Sequence, residues 1–255
     1  KRSDTLYMSA TPIPRTYALT IFGDMDVSTI KTRPKGRKKI HTVLKSEQEM
    51  KEVLAMMYEE LKADHQIYVI APLIEESETS DLTNVNELRD KLTVAFGSKY
   101  KIGLVHGKMA TVIKDKVMDD FLLNKCQILI STTVIEVGVD VPNATMMVIF
   151  DANRFGLSTL HQLRGRVGRN DLQSQCILIS NHDTERLHIM EKTSDGFEIS
   201  EEDFKLSGHG DLFGTKQSGD MAFKIADIKN DYSILLKAKE DSYNYLLKKA
   251  EEEKL

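Results

Sequence analysis

Three arginines lie within the eight residues QLRGRVGR (Gln162–Arg169), here named the arginine segment. The positive charges of Arg164, Arg166 and Arg169 repel one another, and the two glycines among them disfavour regular secondary structure. A planar guanidinium group donates parallel hydrogen bonds to phosphate oxygens, so such a cluster is typical of a polyanion site. The spacing therefore predicts a phosphate-binding site, although an exposed basic turn has the same composition.

A second polar stretch, STTVIEVGVDVPNA (Ser131–Ala144), begins where the apolar run QILI ends. Thr132 and Thr133 present hydroxyl and backbone N–H groups that suit a phosphate, but the pair alone is more simply explained by a local turn hydrogen bond. Gly138 permits a tight turn that would direct the Asp140 carboxylate towards a ribose hydroxyl or a cation.

His106 and Gly107 end another apolar run, IGLV, where a lone histidine is most often an ordinary loop residue. In an open parallel sheet, ligands bind outside the carboxyl ends of the strands. Because the histidine, the threonines and the arginine segment all follow apolar runs, we expect them along one edge of one sheet.

The elements that position these residues alternate along the chain. Strands are predicted at Ile67–Pro72, Ile102–Gly107, Gln127–Thr132, Thr145–Phe150 and Cys176–Ser180. Helices are predicted at Ser46–Asp64, Asn84–Phe96 and Val112–Leu123, the first opening on a capping box formed by Ser46 and Glu49. Strands without polar alternation, separated by amphipathic helices, indicate an α/β fold with a parallel sheet covered on both faces. After Asn181 the pattern becomes helical, with a glycine-rich stretch at 207–219 and a charged amphipathic helix at 232–255.

Composition narrows the class of protein. The 255 residues are 41% hydrophobic and 29% charged, with a net charge of −4, so any nucleic-acid surface is a local patch. Two cysteines fit a reducing cytoplasm and predict neither a disulfide framework nor a metal site. No apolar run is long enough to span a membrane. The opening KRSDTLYMSATPIPRT carries no initiator Met or signal peptide, and we expect it to be the interior of a larger protein.

Several segments resemble known helicase motifs. MSATP (Met8–Pro12), ISTTVIEVGVDVPNA and HQLRGRVGR are similar to motifs III, V and VI of superfamily 2 helicases and translocases. Longer stretches resemble the RecG family of bacterial DNA translocases: PIPRTYALTIFGDMDVSTI, APLIEESE, RLHIMEKTSDGFEISEEDFKL and GDLFGTKQSG. The region after the arginine segment is also similar to the transcription-repair coupling factor, whereas the IEES segment and FKIADIKND favour RecG.

The resemblance covers nearly the whole chain and implies its architecture. Residues 1–30 would be the end of a first RecA-like domain, and residues 31–180 a second RecA-like domain. Residues 181–255 would form a mainly helical C-terminal region with the helical hairpin of the translocation motif.

The resemblance also implies roles for individual residues. Arg166 and Arg169 would be arginine fingers on the γ-phosphate of ATP bound by the first domain, while Arg164 looks structural. The other nucleotide-linked positions are Gly138, Asp140 and Gln162. The positions implied to contact the DNA backbone are His106, Gly107, Thr132 and Thr133. The coupling positions are Ser9 and Thr11 in the SAT-type element, and Arg186 and Gln217 in the translocation motif.

The chain departs from the family at one place and lacks two motifs. Relatives carry an LRGPG-like element where this chain has Ser207 and His209, so a guanidinium that anchors the hairpin has no counterpart here. No G-x-x-x-x-G-K-[ST] segment and no DExH-like quartet occurs, so we expect ATP and Mg²⁺ to be bound mainly by another part of the protein. No tightly bound cofactor or metal is expected in this chain, which alone should not hydrolyse ATP.

The predicted function is that of the C-terminal motor half of an ATP-dependent double-strand DNA translocase. The intact protein would act on branched DNA in fork reversal and branch migration, with a wedge domain and the first RecA-like domain as further parts. Two alternatives remain: the motor of the coupling factor, and a phosphate-binding module with no motor role.

Overall fold

The computed structural model describes Leu6, Ser28, Ile30 and residues 38–72, 78–132, 141–211 and 232–252. Six of the expected functional residues lie outside this part of the chain: Ser9, Thr11, Thr133, Gly138, Asp140 and Gln217. Within the described part, no helix combines the length and apolar character needed to cross a bilayer.

A parallel sheet of six strands organises the described residues. The strands are β1 (His41–Lys45), β2 (Gln66–Ile70), β3 (Ile102–Val105), β4 (Ile128–Ser131), β5 (Ala144–Ile149) and β6 (Gln175–Ile179). Their order is β1-β6-β5-β2-β4-β3, and every neighbouring pair is parallel. All carboxyl ends therefore point the same way, and the predicted parallel sheet is confirmed.

Strand β1 is the one element of the sheet that the apolar pattern does not predict. Among the described strands it lies at an edge of the sheet, next to β6. Of its five residues only Thr42 is fully buried. An edge strand is covered less completely than a central one, so HTVLK lacks the continuous apolar run of β2 or β4.

Helices cover both faces of the sheet, as the sequence predicts. They are α1 (Met50–Lys62), α2 (Glu78–Phe96), α3 (Thr111–Leu122) and α4 (Leu157–Arg164). The chain moves towards β3 through α1 and α2 and returns through α3 and α4. Because crossovers between parallel strands are right-handed, the two pairs lie on opposite faces.

Each face has its own apolar core. On one face Met57 of α1 and Phe96 of α2 pack with Ile67, Val69 and other residues of the central strands. On the other face Tyr68 of β2 meets Phe121 of α3, with ring centroids 4.9 Å apart. Alternate residues of β2 thus enter different cores, which explains why the residues after Gln66 form a continuous apolar run.

The start of α1 follows the predicted capping box with one difference. Ser46 donates its backbone N–H to Glu49 Oε2 at 2.9 Å, and the box is complete. The first turn, Glu47–Glu49, is a 3₁₀ helix, so α1 itself begins at Met50. Hydrogen bonds from Lys45 and from Ser46 lower the pKa of Glu49 to about 2.

Three helices follow the sheet: α5 (Glu185–Lys192), α6 (Gly196–Asp211) and α7 (Tyr232–Glu252). The backbone at Ser207 and His209 lies in the last turns of α6. Residues 33–203, with the sheet and α1–α5, belong to one compact unit, and residues 204–255 belong to a second. Helix α5 packs on β1, and Glu191 accepts a 2.7 Å hydrogen bond from the backbone N–H of Leu44 at the open edge of the sheet.

Candidate functional site

Two of the predicted phosphate contacts lie beside each other at the carboxyl edge. His106 follows β3 and Thr132 follows β4, and these strands pair with Val105 opposite Ser131. The two candidate residues therefore continue from directly paired positions. Strand pairing thus brings together two groups that are far apart in sequence.

Both residues carry a buried polar atom that has no hydrogen-bond partner among the described residues. The Thr132 side chain is only 3% exposed, and its Oγ1 has no hydrogen-bond partner within the described part of the chain. The Nδ1 atom of His106 is likewise buried and unpartnered there. An unsatisfied buried polar atom costs about 1–3 kcal/mol. Such atoms are rare in folded proteins, and two at one strand-end edge fit an external acceptor or donor such as a phosphate.

The turn at residues 106–110, here named the β3–α3 turn, is electropositive. Lys114 donates from Nζ to the Gly107 carbonyl oxygen at 2.7 Å. Burial, followed by the charges of Lys114 and Lys108, lowers the pKa of His106 below its usual value. The histidine is therefore neutral near pH 7, while the two lysines keep the turn favourable for an anion.

The amino end of α3 adds to this character. Its N-cap residue is Ala110, which forms no side-chain cap, and the first turn contains no acidic residue. Uncapped N–H groups and the helix dipole both favour an anion at this position. Gly107 is exposed, and a Cβ added there would meet open space.

Helix α4 and the turn after it carry the arginine segment. Leu157, Leu160 and Leu163 are buried beneath α4, while Gln162 is exposed on its other side. Arg166 is half-buried and Arg169 is exposed. The Nε atom of Arg169 lies 3.4 Å from the Gly165 carbonyl oxygen, which holds this guanidinium close to the turn.

Arg164 has the structural role that its sequence context predicts. Its side chain is 2% exposed. It donates to the carbonyl oxygens of Met190 at 2.7 Å and Thr193 at 2.9 Å, at the carboxyl end of α5. The same nitrogen lies 3.3 Å from Thr42 Oγ1 in β1. The guanidinium thus joins α4, α5 and β1, and the negative end of the α5 dipole compensates its buried charge.

The two glycines of the arginine segment are not equivalent. Gly168 has a φ of +69°, and a Cβ built there would lie 2.9 Å from Ile40 Cγ1. Gly165 has a φ of −67°, which any residue adopts. We expect Gly168→Ala to lower the free energy of unfolding by about 2 kcal/mol and Gly165→Ala to change it by less than about 0.5 kcal/mol. Urea unfolding of the two variants measures this difference, and equal effects would contradict it.

Arg186 lies in the first turn of α5 and is partly buried, while its expected partner lies outside the described residues. The structure thus brings His106, Gly107 and Thr132 together at the ends of β3 and β4. Gln162 lies on α4, and the two candidate fingers lie in the turn after it. Sequence reasoning missed Lys114, whose only signal is a lysine one helical turn into the helix after a strand-end turn.

Across residues 38–72, 78–132, 141–211 and 232–252, no three His, Cys, Asp or Glu side chains gather to hold a metal ion.

Comparison with known proteins places the chain in a family. The family model for the helicase conserved C-terminal domain matches residues 48–171. The model described as ATP-dependent DNA helicase RecG, domain 3, C-terminal, matches residues 193–254. The first match contains β2–β5 and the arginine segment, and the second contains α6 and α7.

Curated relatives agree with these matches. The chain is 53% identical over 245 residues to the ATP-dependent DNA helicase RecG of Bacillus subtilis (strain 168), and covers 36% of its length. It is 52% identical over 240 residues to that of Streptococcus pneumoniae serotype 4, again covering 36%. These matches span 94% and 92% of this chain.

A solved structure of RecG bound to a three-way DNA junction matches 92% of this chain and 31% of its own, with 41% identity and a TM-score of 0.72. The sheet and its two helical layers are therefore a RecA-like helicase fold. The chain belongs to the RecG family and corresponds to the C-terminal portion of its members.

Proposed function

We propose that this chain is the C-terminal half of the motor of an ATP-dependent helicase that translocates on double-stranded DNA and acts on branched substrates. The observation that carries the proposal is the 53% identity to a protein named ATP-dependent DNA helicase RecG, which extends through the arginine segment. The similar solved structure, in which RecG is bound to a three-way DNA junction, supports branched DNA as the substrate. The match to RecG domain 3 favours RecG over the coupling factor.

ATP hydrolysis in this proposal depends on Arg166 and Arg169. Phosphoryl transfer requires stabilisation of charge on the γ-phosphate more than covalent chemistry, and an arginine supplied by a second domain stabilises it. ATP would be bound mainly by the first RecA-like domain, where Mg²⁺ would neutralise phosphate charge. Both arginines are accessible on the turn after α4, which supports this role. The other residues proposed to interact with the nucleotide are Gln162, Gly138 and Asp140.

DNA contact would take place at the ends of β3 and β4. His106, Gly107, Thr132 and Thr133 are the proposed residues that contact the phosphate backbone. Three observations support this assignment: the Thr132 hydroxyl and His106 Nδ1 are buried without a partner among the residues that the structure describes, and Lys108 and Lys114 both act on His106. Contacts with phosphates carry no base information, which suits movement along any sequence.

Coupling between the two sites would use the helices after the sheet. Arg164 ties α4 to α5, and α5 carries Arg186 of the proposed translocation motif. Gln217 would be the partner of Arg186, while Ser9 and Thr11 would couple hydrolysis to movement from within residues 1–30. The movement of the two domains as they close around ATP would in this way be transmitted to residues 181–255.

Replacement of Thr132 by valine in the intact protein tests the DNA side of the proposal. Valine has the shape of threonine without the unpartnered hydroxyl, so the free energy of unfolding should not fall. The DNA concentration for half-maximal ATPase should rise about tenfold, because a hydrogen bond to a charged group contributes about 1.5–3 kcal/mol. Steady-state ATPase titrated with a three-way junction measures the change.

Thr93→Val is the matched control, because Thr93 is exposed on α2 and donates only to the Arg89 carbonyl oxygen of its own helix. The control should match the parent protein in both assays. Intact protein that shows no DNA-stimulated ATPase would exclude the motor and favour the phosphate-binding module. A Thr132→Val titration identical to the parent titration would remove Thr132 from the DNA site.

A further inference from the structure

A lysine outside the motifs that resemble helicases contacts the β3–α3 turn from the helix that follows it. Lys114 lies in the first turns of α3 and reaches back seven residues to the Gly107 carbonyl oxygen, at 2.7 Å from Nζ. An ammonium group bonded to a carbonyl at this distance is a charge-assisted contact, which is stronger than a neutral one. The contact ties the exposed glycine turn to the helix that follows it.

Lys114 also acts on His106. Its charge lowers the pKa of His106, in addition to the larger effect of burial. Lys108 acts in the same direction. The side chain of Lys114 therefore combines a mechanical contact with Gly107 and an electrostatic effect on the neighbouring histidine.

A second, independent feature points to an anionic ligand at this place. Thr132 follows the strand paired with β3, is only 3% exposed and has an Oγ1 without a partner in the described part of the chain. After the β3–α3 turn, α3 starts with an uncapped amino end and no acid in its first turn. A buried hydroxyl and an open helix end both suit a phosphate oxygen.

We propose that Lys114 is a positioning residue for the DNA-backbone phosphate at the ends of β3 and β4. By holding the Gly107 carbonyl oxygen it keeps the β3–α3 turn in one conformation, so DNA binding does not have to order a glycine turn. The inference rests on the proposed function, because it takes the phosphate to be that of DNA.

The experiment compares four variants with the parent in the intact protein: Lys114→Met, Lys114→Gln, Lys114→Arg and Lys116→Met. ATPase is titrated with a three-way junction to separate kcat from the half-saturating DNA concentration. Both neutral variants of Lys114 should raise that concentration about tenfold while kcat at saturating DNA changes less than about twofold. Lys114→Arg, which keeps a charged donor, should stay within about threefold of the parent.

Lys116→Met controls for loss of charge, because Lys116 is exposed on the same helix and its replacement removes the same unit charge. It should behave like the parent at a given ionic strength. If both neutral Lys114 variants match Lys116→Met, the inference is overturned. If the parent itself lacks DNA-stimulated ATPase, the proposed function fails and the inference fails with it.

The pH profile adds a readout that a purely structural lysine would not move. Protonated His106 attracts a phosphate, so DNA affinity should improve as pH falls through its pKa. Removal of the Lys114 charge eliminates one cause of the lowered pKa. The improvement should therefore begin at a higher pH in Lys114→Met than in the parent. Identical pH profiles would overturn the electrostatic part of the inference.

Discussion

Replacement of Arg166 or Arg169 by alanine in the intact protein is expected to lower DNA-stimulated ATP turnover by about 10³- to 10⁵-fold, the range typical of arginine fingers. Each guanidinium would stabilise charge that develops on the γ-phosphate during transfer, and alanine offers no donor. The affinity for ATP should change much less, because in the proposed arrangement the nucleotide would be held mainly by the other domain. Steady-state kcat at saturating ATP and junction DNA measures the loss.

Arg89→Ala supplies the matched control for these variants. Arg89 is a partly exposed arginine on α2 that pairs with the adjacent Asp90 at 3.3 Å, and it belongs to no proposed site. Its removal should leave kcat within about twofold of the parent. Retention of more than a tenth of the parent kcat by both finger variants would exclude a finger role for either arginine.

Arg164→Ala is expected to act on stability instead of chemistry. The variant leaves the carbonyl oxygens of Met190 and Thr193 without their donor and opens space between α4, α5 and β1. Loss of charge-assisted bonds in a buried position should lower the free energy of unfolding by about 3 kcal/mol. Urea unfolding of this chain, followed by far-ultraviolet circular dichroism, measures the difference.

Arg166→Ala is the natural comparison for Arg164→Ala, since both remove a guanidinium from the same segment. Arg166 is half-buried, and its replacement should cost less than about 1 kcal/mol. The loss in the free energy of unfolding for Arg164→Lys should lie between the losses for the two alanine variants, because an ammonium group can replace only some of the hydrogen bonds of a guanidinium group. Equal losses for the two alanine variants would contradict the assignment of Arg164 to structure and Arg166 to catalysis.

The sheet could be predicted because its central strands are apolar on both faces. In β2, Ile67 and Tyr68 enter different cores, so polar and apolar residues do not alternate along the strand. The strand β1 could not be predicted in this way, since it is an edge strand among the described residues and most of its side chains are only partly covered.

The candidate site was predictable only in part. Leu157, Leu160, Leu163 and Arg164 recur at helical spacing and share the buried face of α4, a pattern that separates Arg164 from the other two arginines. No such pattern predicts that Lys114 reaches the Gly107 carbonyl oxygen or that the Thr132 hydroxyl has no partner in the described part of the chain. Those features depend on how β3, β4 and α3 meet in space, so they require coordinates.

The central claim is that this chain supplies arginines to an ATP that another domain binds. ATPase should therefore be measured for this chain alone, for the first RecA-like domain alone, and for the two joined in one polypeptide with junction DNA. We expect turnover only in the joined protein, and its loss when Arg166 or Arg169 of this chain is replaced by alanine. DNA-stimulated turnover by this chain alone, or full turnover in the joined protein without either arginine, would contradict the claim.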